Sequence, residues 1–125
     1  MRVLFVCTAN VCRSRMAEDV FRLLTWPSRA GAAHEVRSAG TRPDPSGRPV
    51  TQGDVEWADV ICVMETEHET HIRAQWPMAG DKIRVLDIPD TYLPGDEALR
   101  DRLATHILVL IEEASASRRP IHRPE

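Results

Sequence analysis

Short apolar runs separated by polar loops are the most regular feature of the chain. Residues 3–6 and 60–64 are unbroken apolar stretches, the pattern of strands that are buried on both faces. Residues 36–38 and 83–86 predict two further short strands, of which the first ends at an Ala-Gly pair and the second is bounded by charged residues. The pattern therefore predicts four short strands.

Apolar residues at helical spacing predict one helix after the first strand and another after the fourth. The first helix begins near Met16 and ends before Pro27, because the residue before a proline disfavours helical backbone. The last helix covers residues 96–115 and is amphipathic. Prolines and glycines mark the stretches 41–50 and 87–95 as loops.

Two more helices are predicted between the second and fourth strands. Thr51, with the acidic residue Asp54 three positions later, predicts a capped short helix that ends near Trp57. Residues 65–76 predict a helix with one highly charged face.

The alternation of strands and helices predicts an α/β fold of three layers, a four-stranded parallel sheet flanked by helices. The 125 residues fit one domain, which we assign to residues 1–117. The remaining residues 118–125 form a basic C-terminal tail with prolines, which we expect to be flexible.

Composition and charge exclude several classes of function. The formal net charge of −3 gives no electrostatic reason to expect nucleic acid as a partner. No apolar run approaches the ~20 residues that a membrane span needs, so no membrane contact is predicted. The chain has 3 cysteines, an odd number in no disulfide-framework pattern, which favours the reducing cytoplasm.

The candidate chemistry lies in the loop between the first strand and the first helix. Ligands bind at the carboxyl ends of strands in open parallel sheets, and the N–H groups of such a loop form an anion cradle with the helix N-terminus. Cys7 opens this loop, where the positive environment favours the nucleophilic thiolate. Arg13 follows, and a loop curled around a phosphate brings its planar guanidinium back for bidentate contact.

The sequence VCTANVCRS at residues 6–14 resembles the phosphate-binding loop of the low-molecular-weight protein-tyrosine phosphatases. Three later segments agree with that family in the same order. SAGT at 38–41 resembles the end of its second strand, DVICVM at 59–64 its third strand, and IPDTY at 88–92 the loop that carries its general acid. The resemblance covers nearly the whole chain before the tail, with the phosphate-binding loop after the first strand.

The resemblance implies a phosphatase that hydrolyses phosphotyrosine or related aryl phosphate monoesters. Cys7 would attack the phosphorus and form a phosphocysteine intermediate, while Arg13 binds the phosphoryl oxygens. Asp90 is the implied general acid, which protonates the leaving phenolate and later activates water. Asp87 is the alternative acid, although the position of Tyr92 favours Asp90, and Tyr92 is expected to flank the substrate ring.

Other residues of the site support the thiol and the phosphate. Ser14 donates to the Cys7 sulfur, caps the helix, or does both. Asn10 tolerates a left-handed backbone and braces the loop, and Ser38 is expected to hydrogen-bond to the same network. Cys12 stands at the spacing of the family's redox pair with Cys7, in which a disulfide protects the nucleophile. The loop is expected to hold the phosphate, or a free phosphate or sulfate ion, through Thr8, Ala9, Asn10, Val11, Cys12 and Ser14.

The chain departs from the family's pattern at several places. The segment at 41–51 is trimmed, and the histidine with which the family braces its loop asparagine has no counterpart there. Arg15 and Thr91 replace prolines that are usual in the family. These differences indicate a compact, divergent member whose physiological substrate need not be phosphotyrosine.

Two alternative functions stay open. Arsenate reductases of the same fold use the same cysteine and arginine, but their relay needs further cysteines, and the only later one is Cys62 within an apolar strand. A catalytically weak module that binds phosphate or phosphotyrosine would also keep the loop. The predicted partner is a phosphoprotein or a small phosphate ester. No cofactor or metal is predicted, because His68 and His71 have no third ligand and are expected on a solvated face.

Overall fold

The computed structural model describes residues 1–26 and 34–118, which contain one parallel sheet of four strands in the order β2-β1-β3-β4. Strand β1 lies centrally, with Val3 opposite Val36 on one side and Val60 on the other. The predicted three-layer α/β fold is confirmed. The strands are β1 (Arg2–Cys7), β2 (Glu35–Gly40), β3 (Val60–Val63) and β4 (Ile83–Val85).

In the described part of the chain, four α-helices connect and cover the strands. Thr51 and Asp54 form the predicted capping box at the start of the second helix. A 3-10 helix (Pro77–Lys82) that the sequence pattern did not predict follows the third. The last helix extends past the predicted end at residue 115 and takes in Arg118, whereas the rest of the predicted flexible tail lies outside the described residues. The helices are α1 (Arg13–Leu24), α2 (Gln52–Trp57), α3 (Thr66–Gln75) and α4 (Glu97–Arg118).

Apolar residues on the two faces of the sheet form two separate core clusters. Because successive side chains of a strand point to opposite faces, β1 contributes alternate residues to each cluster. The α1 and α4 side contains Val3, Phe5, Cys7, Met16, Ala17, Val20, Phe21, Cys62, Met64, Leu99, Leu103, Ile107 and Leu110. The α2 and α3 side contains Leu4, Val6, Ala39, Val55, Ile61, Val63, Ile72 and Ala79.

The loops that follow the four strands meet at the carboxyl edge of the sheet. Cys7 ends β1 directly opposite Gly40, which ends β2, and Val6 lies opposite Val63, which ends β3. Parallel sheets place their ligand sites at this edge. None of the described helices is both long and apolar enough to cross a membrane.

Candidate active site

The loop between β1 and α1 exposes its N–H groups on one side, because the segment after β2 binds its carbonyl oxygens on the other. The backbone N–H groups of Thr41, Arg42 and Asp44 donate to the carbonyls of Cys7, Thr8 and Ala9, at 3.0, 2.9 and 3.0 Å. In a trans peptide the carbonyl and the following N–H point in opposite directions. The N–H groups of the next three residues, Thr8, Ala9 and Asn10, therefore face away from that segment, as an anion cradle requires.

Two glycines allow this close approach of the two segments. A Cβ atom at Gly40 would lie 2.5 Å from the carbonyl oxygen of Thr8. A Cβ atom at Gly47 would meet the carbonyl oxygen of Ala9. The trimmed segment is thus the outer wall of the phosphate-binding loop.

Cys7 lies at the base of the cradle, and the residue is 2% exposed. The Asn10 N–H donates to the Cys7 sulfur at 3.2 Å, and the Ser14 Oγ lies 3.0 Å away. Asn10 Nδ2 donates to that same Oγ at 2.7 Å, which leaves the Ser14 hydroxyl hydrogen for the sulfur. Two donors are thus aimed at one sulfur. Helix α1 begins at Arg13 with Cys12 as N-cap, so the alternative reading of Ser14 as the cap is wrong.

Asn10 has the left-handed backbone that turns the loop, with φ of 58°. Its Oδ1 accepts a hydrogen bond from the backbone N–H of Arg48 at 2.9 Å. Arg48 therefore braces the loop asparagine, a role for which the sequence offered no histidine. Arg48 is itself held by Asp54 and by the carbonyl of Ser38, to which its Nη1 donates at 2.8 Å. The Ser38 hydroxyl donates to Glu18 at 2.5 Å and not to Asn10, so Ser38 joins the network only through its carbonyl.

Asp54 is buried, and it anchors this brace in its charged form. Burial alone would raise the pKa of Asp54, but hydrogen bonds from the Thr51 backbone, from Arg48 and from the Thr51 hydroxyl outweigh it and hold the pKa below its usual range. The sequence assigned Asp54 only to the helix cap. The ion pair between Asp54 and Arg48 could not be predicted from residue spacing, because Arg48 lies in a loop, which has no periodic pattern.

Arg13 is the first residue of α1, and its side chain is 3% exposed. Its Nη1 forms an ion pair with Glu65 and donates to the carbonyl of Ile88 at 2.8 Å. Its Nε lies 3.9 Å from Asp90 Oδ1. Glu65 directly follows the buried strand segment 60–64, so this carboxylate at the sheet's carboxyl edge was a signal that sequence reasoning missed.

His68 is buried, with 1% exposure, so the expectation of a solvated face is wrong for it. Its Nδ1 accepts the Glu65 N–H at 3.0 Å, and its Nε2 lies 2.9 Å from Thr8 Oγ1. Because Nδ1 accepts, the neutral ring carries its hydrogen on Nε2 and donates it to Thr8. Burial, and next the Arg13 charge, lower the pKa of His68, which keeps the ring neutral.

Glu65, Glu67 and His68 bring one potential ligand atom each to within 4.8 Å of one another. Sequence reasoning found no third ligand for His68 because it considered only His71. Glu65 is engaged with Arg13 and His68 with Thr8, so these two residues already have partners in the phosphate-binding loop.

The loop after β4 carries both candidate acids. Asp90 has a side chain that is 71% exposed and faces Arg13. Asp87 is also exposed and has a left-handed backbone with φ of 56°. Arg102 of α4 holds this loop, donating to the Asp87 carbonyl at 2.6 Å and to the Tyr92 hydroxyl at 3.2 Å. Of the two carboxylates, Asp90 is the one that the structure places against the arginine.

All three cysteines are free thiols. Cys12 is half-buried, and its thiol donates to the carbonyl of Tyr92 at 3.6 Å. Burial, followed by the nearby Cys7 and Asp90, raises the pKa of Cys12. Cys62 is 1% exposed, and burial raises its pKa to about 12. A disulfide relay of the reductase type would need Cys62, which is sealed in the core.

Known proteins share this sequence and this fold. The pattern described as "Low molecular weight phosphotyrosine protein phosphatase" matches residues 2–52. A protein-arginine-phosphatase of Bacillus subtilis is 32% identical over a match that covers 69% of this chain and 70% of the relative. The low molecular weight protein-tyrosine-phosphatase Etp of Escherichia coli K12 is 27% identical over a match that covers 90% of this chain and 88% of the relative.

Solved structures of phosphatases have the same fold as this chain. The YwlE arginine phosphatase from Geobacillus stearothermophilus has a TM-score of 0.77 and 25% identity, with 99% of both chains covered. The fold, the loop that begins at Cys7 and these relatives define a cysteine-dependent phosphatase. The chain belongs to the low molecular weight protein-tyrosine phosphatase family, as the sequence motifs predicted.

Proposed function

We propose that the protein hydrolyses phosphotyrosine or related aryl phosphate monoesters through a phosphocysteine intermediate. The Cys7 thiolate attacks phosphorus, and the P–O bond to the phenol breaks as Asp90 gives its proton to the leaving oxygen. Water then attacks the phosphocysteine and loses a proton to Asp90. Inorganic phosphate leaves, and the thiolate and the protonated acid are restored.

The observation that carries this proposal is the hydrogen bonding of the Cys7 sulfur. Donors from Asn10 and Ser14 reach it at 3.2 and 3.0 Å in a buried site, next to N–H groups that face the same way. Arg13, at the start of α1, adds a guanidinium for the charge that develops on the phosphoryl oxygens. A merely structural thiol needs none of these groups.

The rim of the loop supports an aromatic leaving group. Val11, in the loop that begins at the nucleophile, is 38% exposed, and Tyr92 is half-buried, with its carbonyl accepting from Cys12. Two such side chains offer apolar area to a flat ring, and aromatic contacts add about 0.5–1.5 kcal/mol beyond burial.

Phosphoarginine is a second candidate substrate, since the relative from Bacillus subtilis carries the name of a protein-arginine-phosphatase. The exposed carboxylates of Glu67 and Asp90 offer acceptors for a guanidinium at the mouth of the site. In this reaction Cys7 breaks a P–N bond, and Asp90 protonates the leaving nitrogen.

A substrate panel separates the two candidates. Reduced protein near pH 6 is assayed with matched peptides that carry phosphotyrosine, phosphoarginine or phosphoserine, and with para-nitrophenyl phosphate. We expect the highest kcat/KM for the phosphotyrosine peptide. A higher kcat/KM for phosphoarginine would establish the second candidate instead.

Cysteine variants test the covalent step in the same assay. Cys7→Ser is expected to lose at least ~10⁴-fold in kcat, because a serine hydroxyl there is a far poorer nucleophile. Cys62→Ala, a buried cysteine away from the loop, is the matched control and retains turnover. Equal turnover by wild type and Cys7→Ser would refute phosphocysteine catalysis, and arsenate-dependent thiol consumption without ester hydrolysis would favour the reductase.

A further inference from the structure

A groove between α1 and the outer edge of β2 concentrates positive charge beside the phosphate-binding loop. Its volume is about 460 Å³. Arg15 and Arg22 line it from α1, and Arg37 and Arg48 line it from β2 and the segment that follows. Glu18 is the one carboxylate among the lining residues. The formal net charge of the whole chain is −3, so this local excess of arginine is opposite in sign to the molecule.

The arginines on the β2 side of the groove are oriented by the fold. Arg37 lies over the Trp57 ring, with its guanidinium carbon 4.1 Å from the ring centroid, and it shares the buried Asp54 with Arg48. The side chains of Arg37 and Arg48 are each 43% exposed. A guanidinium carries five N–H donors, so one shared carboxylate cannot use all the donors of these two arginines.

The arginines on the α1 side are held more loosely. Arg22 forms an ion pair with Glu18 and is 60% exposed, and Arg15 donates to the carbonyl of Ser46. Carboxylates on this side neutralise at most one of the two charges. The groove thus has arginines on both walls, an arrangement suited to oxyanions.

We propose that this groove binds carboxylate side chains of the substrate phosphoprotein, so that the enzyme prefers phosphorylated residues with acidic neighbours. The inference rests on the proposed function of the Cys7 site and names a specificity that the site alone does not have. The four arginines attract acidic segments and orient them across the loop.

The groove lies within reach of a peptide whose phosphate sits in the loop. Asn10 lines the groove, and its backbone N–H donates to the Cys7 sulfur. From Asn10 the groove follows the edge of β2 back to Arg37. Arg37 and Gly40 are three positions apart on an extended strand, or about 10 Å. An acidic residue about three to five positions from the phosphorylated residue therefore reaches the arginines.

The test compares three phosphopeptides that differ only in acidic, neutral or basic residues at these positions. We expect kcat/KM for the acidic peptide to exceed that for the neutral one by about tenfold, mainly through KM, and the difference to shrink in about 0.5 M salt. Arg15→Gln and Arg22→Gln should each reduce this preference by about threefold. Arg100→Gln, an exposed arginine on α4, is the matched control and should keep it.

The outcomes separate this inference from the proposed function. If para-nitrophenyl phosphate is hydrolysed but the three peptides react equally, the groove proposal is overturned and the phosphatase stands. If no substrate is hydrolysed, the proposed function fails, and the groove is tested by fluorescence anisotropy with an unphosphorylated acidic peptide. Binding that is weakened in the Arg15→Gln/Arg22→Gln double variant supports the groove, and unchanged or absent binding at low salt overturns it.

Discussion

The loop of the nucleophile and the loop of the candidate acid meet at one edge of the sheet, but they are fixed in different ways. Cys7, Asn10 and Ser14 are buried and bonded to one another, and Arg48 closes the network from outside. Asp90 projects from a loop that its neighbours hold by backbone carbonyls, as at Ile88 and Tyr92. The first arrangement depends on contacts between particular side chains, whereas the second depends mainly on contacts to backbone carbonyls.

The largest expected effect distinguishes the two aspartates of the second loop. Asp90→Asn should lower kcat for para-nitrophenyl phosphate by about 10²-fold, because an amide cannot protonate the leaving oxygen. Asp87→Asn is the matched control, since asparagine tolerates the left-handed backbone at that position, and it should change kcat less than about threefold. The opposite ranking would transfer the acid role to Asp87.

Ser14→Ala is the next largest change, and it removes one of the two donors to the sulfur. It also leaves the Asn10 amide without its acceptor. We expect kcat/KM to fall about tenfold, together with a slower alkylation of Cys7 by iodoacetate. Ser46→Ala, an exposed serine of the adjoining segment, is the control. Unchanged alkylation in Ser14→Ala would mean that the backbone alone stabilises the thiolate.

Arg102→Ala tests whether the loop that carries Asp90 keeps its position without a side-chain contact from α4. It removes the contacts to the Asp87 carbonyl and the Tyr92 hydroxyl. Because Arg102 is exposed, we expect a loss of only about threefold in kcat/KM, compared with none in Arg100→Ala on the same helix. A loss as large as that of Asp90→Asn would show that the loop is held as strictly as the nucleophile.

The smallest effect concerns stability, and it comes from His68 behind the nucleophile loop. Its pKa is lowered in the folded protein, so below about pH 6.5 the unfolded chain takes up a proton that the buried ring does not. The free energy of unfolding therefore falls as the pH drops, by at most about 1.4 kcal/mol per pH unit from this group. His106 acts in the same direction, since burial and Arg102 lower its pKa.

Urea unfolding at pH 7.5 and 5.5 measures this contribution. His68→Gln should lose less stability between the two pH values than wild type does, because glutamine does not titrate. His71→Gln, on the same helix, is the control and should behave as wild type. An equal pH dependence in His68→Gln would show that the ring is protonated without cost.

Sequence predicted the features of this protein that are local in the chain. The apolar run of residues 3–6 predicted a strand buried on both faces, and the loop from Cys7 to Arg13 follows it directly. The order of segments that resembled the family favoured Asp90 over Asp87 as the acid, and this stays a prediction.

The remaining parts of the site depend on contacts between distant residues. Glu65 lies 52 positions from Arg13, and His68 lies 60 positions from Thr8. Spacing along the helix showed His68 and His71 on charged α3, but not which side of that helix would meet the loop. Arg48, in a loop, supplies the brace of Asn10 for which the sequence offered no histidine. The hydrogen bond to the loop asparagine is kept, but a different residue donates it, so no sequence motif reveals the donor.

Chemical labelling of Cys62 can report how often the whole fold opens. Its thiol lies in the middle of β3 with a pKa of about 12, so a thiolate-specific reagent cannot label it while the sheet is intact. The labelling rate of Cys62 therefore reports how often the central strands separate, whereas labelling of Cys7 reports access to the cradle. One reagent, read by mass at two positions, thus measures the lifetime of the fold and the openness of the site in the same sample.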